Sequence, residues 1–255
     1  MWQLQRRLVE QRAVLVNRIL TRSLLRAAVP VVLESKRDWG KAFPQRCISL
    51  HRTPVTPPIS QQGGISMNEI IENIMSCRSV RNYKPEKVSK EILDELLNVA
   101  VWSANAGNRQ RTRIVVCQND ELNTRLGRAQ NVVYGQFNKR EEIRLSDELI
   151  ATTSRSGFYN APTVIYLFAP NNFLFAEPDS YIMASNICHA AHSIGVDTCI
   201  ISVATDYFID DFGKKILKDW NIPEDFHISA QVIVGYHEGE YPKPHERRYN
   251  APLFV

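Results

Sequence analysis

The sequence predicts an α+β sandwich, helices packed on a small sheet, over residues 67–255. Helical and strand-like stretches are mixed there without the strict alternation of a doubly wound fold, and no internal repeat is visible. At 255 residues, 44% hydrophobic and 23% charged, the chain can bury one sizeable core, or one domain plus a tail.

Taken in order, Ile70, Ile71, Ile74 and Met75 recur at helical spacing and give a short first helix. It delivers Arg78-Ser79-Val80-Arg81-Asn82-Tyr83, after which Lys84-Pro85 forces the backbone out of helix. Ser89 is a good N-cap for a second helix carrying Ile92, Leu93, Leu96, Leu97, Val99 and Ala100. That helix ends in a small polar loop, residues 103–108. Thr112 to Cys117 is β-branched and strand-like. A polar helix is expected from Leu122 to Arg144, with Tyr134 and Phe137 as its aromatics. Thr163 to Phe168, announced by Ala161-Pro162, reads as a buried strand. Asp179 to Ile194 is a long helical run, apolar over most of its circumference, so it should lie in the core; Gly195 ends it. Cys199 to Val203 and Ile228 to Tyr236 are further buried strands, and the tail from Tyr241 to Arg248 is extended and cationic.

Charge divides the chain. Residues 1–66 hold 11 Lys and Arg against 3 Asp and Glu; of the chain's 31 bases and 27 acids, residues 67–255 keep 20 and 24. The overall +4 therefore describes neither part, and nucleic-acid binding does not follow from it. Arg6, Arg7, Arg12, Arg18, Arg22 and Arg26 stand among Leu, Val and Ile, an amphipathic, acid-poor pattern resembling an organellar transit peptide. A breaker-rich linker follows, with Pro54, Pro57, Pro58 and Gly63-Gly64. An extension upstream of a natural start at Met67 fits equally, and a basic RNA- or membrane-binding arm is a third reading. The first places the protein in a mitochondrion or related organelle, the second in the cytoplasm. No apolar run approaches the ~20 residues of a membrane span. Five cysteines, an odd number without a C-x-x-C pair, argue for a reducing compartment.

The chain lacks the G-x-G-x-x-G, P-loop and G-x-S-x-G signatures, leaving a metal, a thiol or a borrowed cofactor. Arg78 and Arg81 flank a hydroxyl, and two planar donor forks suit a phosphate and a second electron-rich group. The plain alternative is a solvated helix end, where cations complement the dipole. His189 and His192 share a helix face at i and i+3, yet no carboxylate completes a metal motif. Histidines with satisfied hydrogen bonds are the favoured reading, and no metal is expected. Cys77, beside Arg78, reads either as a low-pKa thiol or as a neutral small residue at a helix end.

Four short motifs in order settle on the borrowed cofactor. They are Arg78-Ser79-x-Arg81-x-Tyr83, Asn105-Ala106-Gly107-Asn108-Arg109-Gln110, Gly195-Val196-Asp197-Thr198-Cys199-Ile200-Ile201, and the cationic tail. Together, over residues 67–255, they resemble the FMN-dependent nitroreductase family. The resemblance implies a small, mainly antiparallel central sheet flanked by helices, in an intertwined homodimer with flavin at the subunit interface. It also implies that Arg78, Ser79 and Arg81 hold the phosphate, ribityl chain and N1/O2 edge, with Cys77 where the family has its first Arg. Asn108 and Gln110 match the second motif, in which Ala104-Asn105 replace the family's Pro-Ser; Asn105 is counted with them in the cofactor site, and Asn108 would reach the isoalloxazine. Backbone amides of Ile201, Ser202 and Val203 would face N5 and O4, Ile200 would pack on the ring, and Arg247 or Arg248 would bind the phosphate.

The implied activity takes hydride from NADH or NADPH and reduces a nitroaromatic, quinone or related acceptor by a ping-pong mechanism. Flavin N5 carries that chemistry, so no catalytic side chain is required. A specialised dehalogenase or dehydrogenase, or an FMN-binding sensor of low turnover, are the alternatives. Residues 123–160 are expected to cover the flavin and set specificity. Arg109, Arg111 and Arg128 are offered as partners for a 2′-phosphate.

Overall fold

Four antiparallel strands in the order β1-β2-β4-β3 form the centre: β1 Arg113–Cys117, β2 Thr163–Pro170, β3 Asp197–Ile201 and β4 Phe226–Gly235. A computed structural model describes residues 68–202, 206–245 and 253–254; the expectations for residues 1–66, Val203, Arg247 and Arg248 fall outside them. Every residue of β2 is buried, so its sequence reads as a continuous apolar run rather than an alternating one. Val164, Tyr166 and Phe168 pack to one side, Ile165 and Leu167 to the other.

The described residues form six α-helices, α1 Glu69–Ser76, α2 Lys90–Val101, α3 Asp120–Lys139, α4 Asp147–Thr152, α5 Ala176–Ser193 and α6 Asp211–Asp219, of which α2 to α6 pack about the sheet. Leu93, Leu96 and Ala100 of α2 join Ala184, Ile187 and Ala191 of α5 on one face. Leu126, Ala129 and Val133 of α3, with Ile150 of α4 and an aromatic group built from Tyr166, Phe168, Tyr207, Phe208 and Trp220, fill the other. The helix-on-sheet sandwich read from the sequence is therefore the fold.

Caps set most of the boundaries. Ser89 Oγ accepts from the Ile92 N–H, Asn119 Oδ1 from Leu122 and Asp210 Oδ1 from Gly213. Four details differ from expectation. The helix sought over 122–144 stops at Lys139, where Arg140 turns left-handed at φ 59; Ile143 and Leu145 of the run that follows pack against the core from outside the helix, and Ser146 caps the separate α4. α5 starts three residues earlier than Asp179, because Pro178 falls in the first turn, where its missing N–H leaves no bond unmade. It is also one-sided, leaving Ile182 exposed. β3 begins at Asp197 and ends at Ile201, shifted from 199–203. α6 went unread, although Asp210 and the spacing of Phe212, Ile216 and Leu217 announce it.

Candidate functional site

Residues 78–81 run beside β3. Ser79 forms a parallel bridge with Thr198, and the Val80 N–H donates to the Thr198 carbonyl at 2.9 Å. This contact falls on the outer side of β3, whose other side pairs with β4. Backbone polar groups alternate along a strand, so Thr198, Ile200 and then Ser202 direct theirs to the open edge. Ile201 directs its own towards β4. A donor row left by an edge strand is suited to a planar, acceptor-rich ligand.

A cavity of about 300 Å³ opens at that edge. Arg81, Cys199, Ile200, Ile201 and Ser202 form one wall. Gln130, Asn131 and Tyr134 of α3 form the second, and Arg155, Ser156, Gly157 and Tyr159 the third. The Arg81 guanidinium lies 6.0 Å from the centre of the Tyr159 ring. Burial raises the Cys199 thiol above its ordinary pKa, against the opposing pull of Arg81 and a Ser79 hydrogen bond, so it is a neutral wall atom.

Two glycines bring the third wall onto α3. The Gly157 N–H donates to the Gly127 carbonyl at 2.7 Å. A Cβ on Gly157 would stand 1.5 Å from Gln130 Oε1, and one on Gly127 would stand 2.1 Å from Ser156 Oγ and 3.1 Å from the Phe158 ring. Tyr159 and Asn160 then adopt left-handed backbone at φ 51 and 58, a conformation that costs free energy in residues other than glycine. The sequence pointed to 123–160 as the cover of the site; the lining residues within it carried no signal beyond Gly157 and the aromatic Tyr134.

The other sequence-derived residues divide. Arg78 ends α1: its guanidinium donates to the carbonyls of Met75 at 2.6 Å and Cys77 at 2.9 Å, and its backbone N–H donates to the Tyr241 hydroxyl. Its side chain thus makes the helix-end contacts of the plainer reading, and Arg81 alone of the two lines the cavity. Asn105, Asn108 and Gln110 do not line it. They form a self-bonded loop, in which Asn105 Oδ1 accepts from the Gln110 backbone N–H and Asn108 Oδ1 from the Gln110 amide, both at 2.9 Å. Gly107, Asn108 and Gln110 are left-handed there, and Asp179 of α5 anchors the loop through the Ala106 N–H at 2.9 Å. Arg109 and Arg111 lie over the Phe173 ring, whereas Arg128 lines a separate groove with Phe212.

Cys77 is a raised, neutral thiol held up by burial, as the second of its two readings has it. His192 bonds Ser76 Oγ through Nε2 at 2.9 Å and stacks on Tyr241 at 5.7 Å between ring centres. His189 offers its carbonyl to Asn73, and its buried Nδ1 has no partner among the described residues.

A profile described as the Nitroreductase family matches residues 74–236. A protein of Methanothermobacter thermautotrophicus, provisionally named an NADH dehydrogenase/NAD(P)H nitroreductase, is 24% identical over 178 residues, 68% of this chain and 80% of the relative. Two crystal structures titled as nitroreductases with bound FMN share the fold. The one from Bacteroides fragilis superposes with a TM-score of 0.61 at 21% identity, over 74% of this chain and all of its own. The one from Desulfitobacterium hafniense gives 0.61 at 24%, over 74% of this chain and 99% of its own.

Proposed function

Since the chain belongs to the nitroreductase family, we propose that it is an FMN-dependent oxidoreductase, drawing hydride from NADH or NADPH and passing it to a small electron acceptor. The observation that supports this most directly is the junction of residues 78–81 with the outer edge of β3, which gives one cavity a guanidinium, a row of backbone donors and the flat side of Ile200. That donor set fits the acceptor-rich rim and apolar face of an isoalloxazine. FMN, when bound, supplies the redox chemistry, holding two electrons between donor and acceptor.

The chain's own residues bind and orient. Arg81 would hold the N1/O2 edge of the ring, where its fixed charge would offset negative charge. The outward amides of Ile200 and Ser202 would donate to the N5 and O4 side. Ser79 and Arg78, with Arg247 or Arg248, would take the phosphate, for which Arg78 would have to exchange the carbonyls of Met75 and Cys77. Tyr134 and Tyr159 keep water from the ring face. No acid or base residue is assigned to the reaction.

The site is completed by a second copy of the chain. A cavity of about 300 Å³ is small for a ligand of FMN's size, and Asn105, Asn108 and Gln110 are turned away from it. α1 buries none of its residues, leaving Ile70, Ile74 and Met75 at 69%, 49% and 59% exposure. An eight-residue helix is not stable on its own propensity, so that apolar face needs cover. A homodimer closing over α1 and the exposed side of α5 would provide it and bring the partner's Asn108 loop to the flavin. Residues 67–255 form the flavin domain in this reading, with residues 1–66 as an appended leader.

An absorbance spectrum tests the proposal. Purified protein, or protein supplied with FMN and desalted, should be yellow and should bleach under anaerobic NADH or NADPH. A colourless protein that retains no FMN at micromolar concentration would remove the enzyme reading. Bleaching by dithionite but by neither nucleotide would leave a flavin-binding module.

A further inference from the structure

The cavity carries charge of one sign. Arg81 and Arg155 enter it from separate segments, and no Asp or Glu among the described residues lines it. This occurs in a part of the chain, residues 67–255, that holds 24 acids against 20 bases. Two other arginines of this side are in ion pairs, Arg125 with Asp147 and Asp210, and Arg144 with Glu142. None of the described ion pairs includes Arg155, which lies exposed on the third wall.

Arg155 lies two positions before Gly157, whose N–H donates to the Gly127 carbonyl of α3. Tyr159, four residues on, is placed by its left-handed backbone with its ring against the cavity. Arg155 and Tyr159 line the same cavity, and a planar fork and an aromatic face in one cavity suit a carboxylate attached to an aromatic ring: the fork takes both oxygens and the ring stacks.

Resting on the reading of this cavity as the flavin site, with Arg81 committed to the cofactor, we propose that Arg155 and Tyr159 form the acceptor subsite and select aromatic acceptors that carry a carboxylate. Recognition is the only new element. Each turnover remains ArNO2 + NAD(P)H + H+ → ArNO + NAD(P)+ + H2O, two electrons and two protons for charged and neutral acceptors alike.

The test compares 4-nitrobenzoate with nitrobenzene on FMN-loaded full-length protein. Wild type should favour the carboxylate in kcat/KM by roughly ten- to a hundredfold, the range of one charge-assisted contact, and the preference should shrink as salt is raised. Arg155→Ala should bring the ratio to about one, mainly through KM for 4-nitrobenzoate, while FMN affinity changes less than about threefold. Arg155→Lys should restore part of the ratio as a point charge without the fork. A wild type with no preference would overturn the inference. So would an Arg155→Ala protein that slows both acceptors equally, or one that loses FMN tenfold and thereby assigns Arg155 to the cofactor. Failure of wild type to hold flavin or oxidise NAD(P)H at all is a separate result, and sinks the flavin reading beneath it.

Discussion

Gly157→Ala puts the geometry of the cavity's third wall to a quantitative test. The added Cβ would lie 1.5 Å from Gln130 Oε1 and 2.6 Å from its Cδ, with the Gly127 carbonyl at 3.3 Å. The carbonyl contact is tight but tolerable; the amide is not, so Gln130 must leave its place. Gln130 is 5% exposed, wedged between α3 and the loop, and has little room to move without pushing Gly157 off Gly127. Overpacking of this kind costs about 1–3 kcal/mol, or roughly 2–12 °C in melting temperature for a domain of this size. The assay is a double-mutant cycle by thermal and urea denaturation. If the clash with Gln130 is the source, Gly157→Ala should cost less than about 0.5 kcal/mol in a Gln130→Ala background, a clear departure from additivity. An unchanged melting temperature in the single variant, or equal losses in both backgrounds, would show that the loop does not meet α3 as described.

Four further outcomes follow from the same structure. Arg81→Ala should weaken FMN binding by about ten- to a hundredfold, read by flavin fluorescence on titration, since one charge-assisted contact is lost. Asn108→Ala and Arg81→Ala proteins, each poor in flavin alone, should regain one good site per dimer when refolded together; no recovery in the mixture would place both residues in one protomer's site. Burial depresses the His192 pKa below 6.5, against an opposing pull from Asp197, so the unfolded chain takes up the proton first as pH falls. Stability should therefore hold above about pH 6.5 and decline below it, and His192→Gln should flatten that decline in melts taken from pH 7.5 to 5. A chain beginning at Met67 should bind FMN as tightly as the full sequence if residues 1–66 are only an appended leader.

What the sequence disclosed depended on how far apart the cooperating residues lie. α2 was legible to its first residue because Ser89, its cap and its apolar stripe sit within one window. β2 was legible because burial on both faces leaves an apolar run, and β4 because Ile228, Val232, Ile233 and Val234 keep it β-prone although Ser229 and Gln231 interrupt it. α6 was missed because its signal is a single cap and three partly buried side chains on an otherwise charged segment. Arg140 was missed for another reason: a left-handed helix end at a non-glycine residue leaves no mark in residue type. The cavity wall shows the same limit more sharply. Gly127 and Gly157 look like ordinary glycines thirty residues apart until the fold presses them together, and Arg155 and Tyr159 take their place only from that contact.

The separation of Asn105, Asn108 and Gln110 from the cavity bears on the oligomeric state more than on the cofactor. A loop that spends its amides on itself and holds three left-handed residues in a row of four is built at a cost, and Asp179 has one buried carboxylate oxygen fixed on Ala106 to keep it in place. Strain of that sort persists where a surface must present a defined shape to something outside the chain. Asp179→Asn distinguishes that account from simple fold stability. The variant keeps the Ala106 contact with an amide oxygen, so it should melt close to wild type and hold FMN close to wild type. Asp179→Ala should free the loop and lose flavin affinity by more than its melting temperature alone accounts for, because in the proposed homodimer the loop forms part of the partner's flavin site. If Asp179→Ala retains flavin as wild type does, the 105–110 loop has no part in the site.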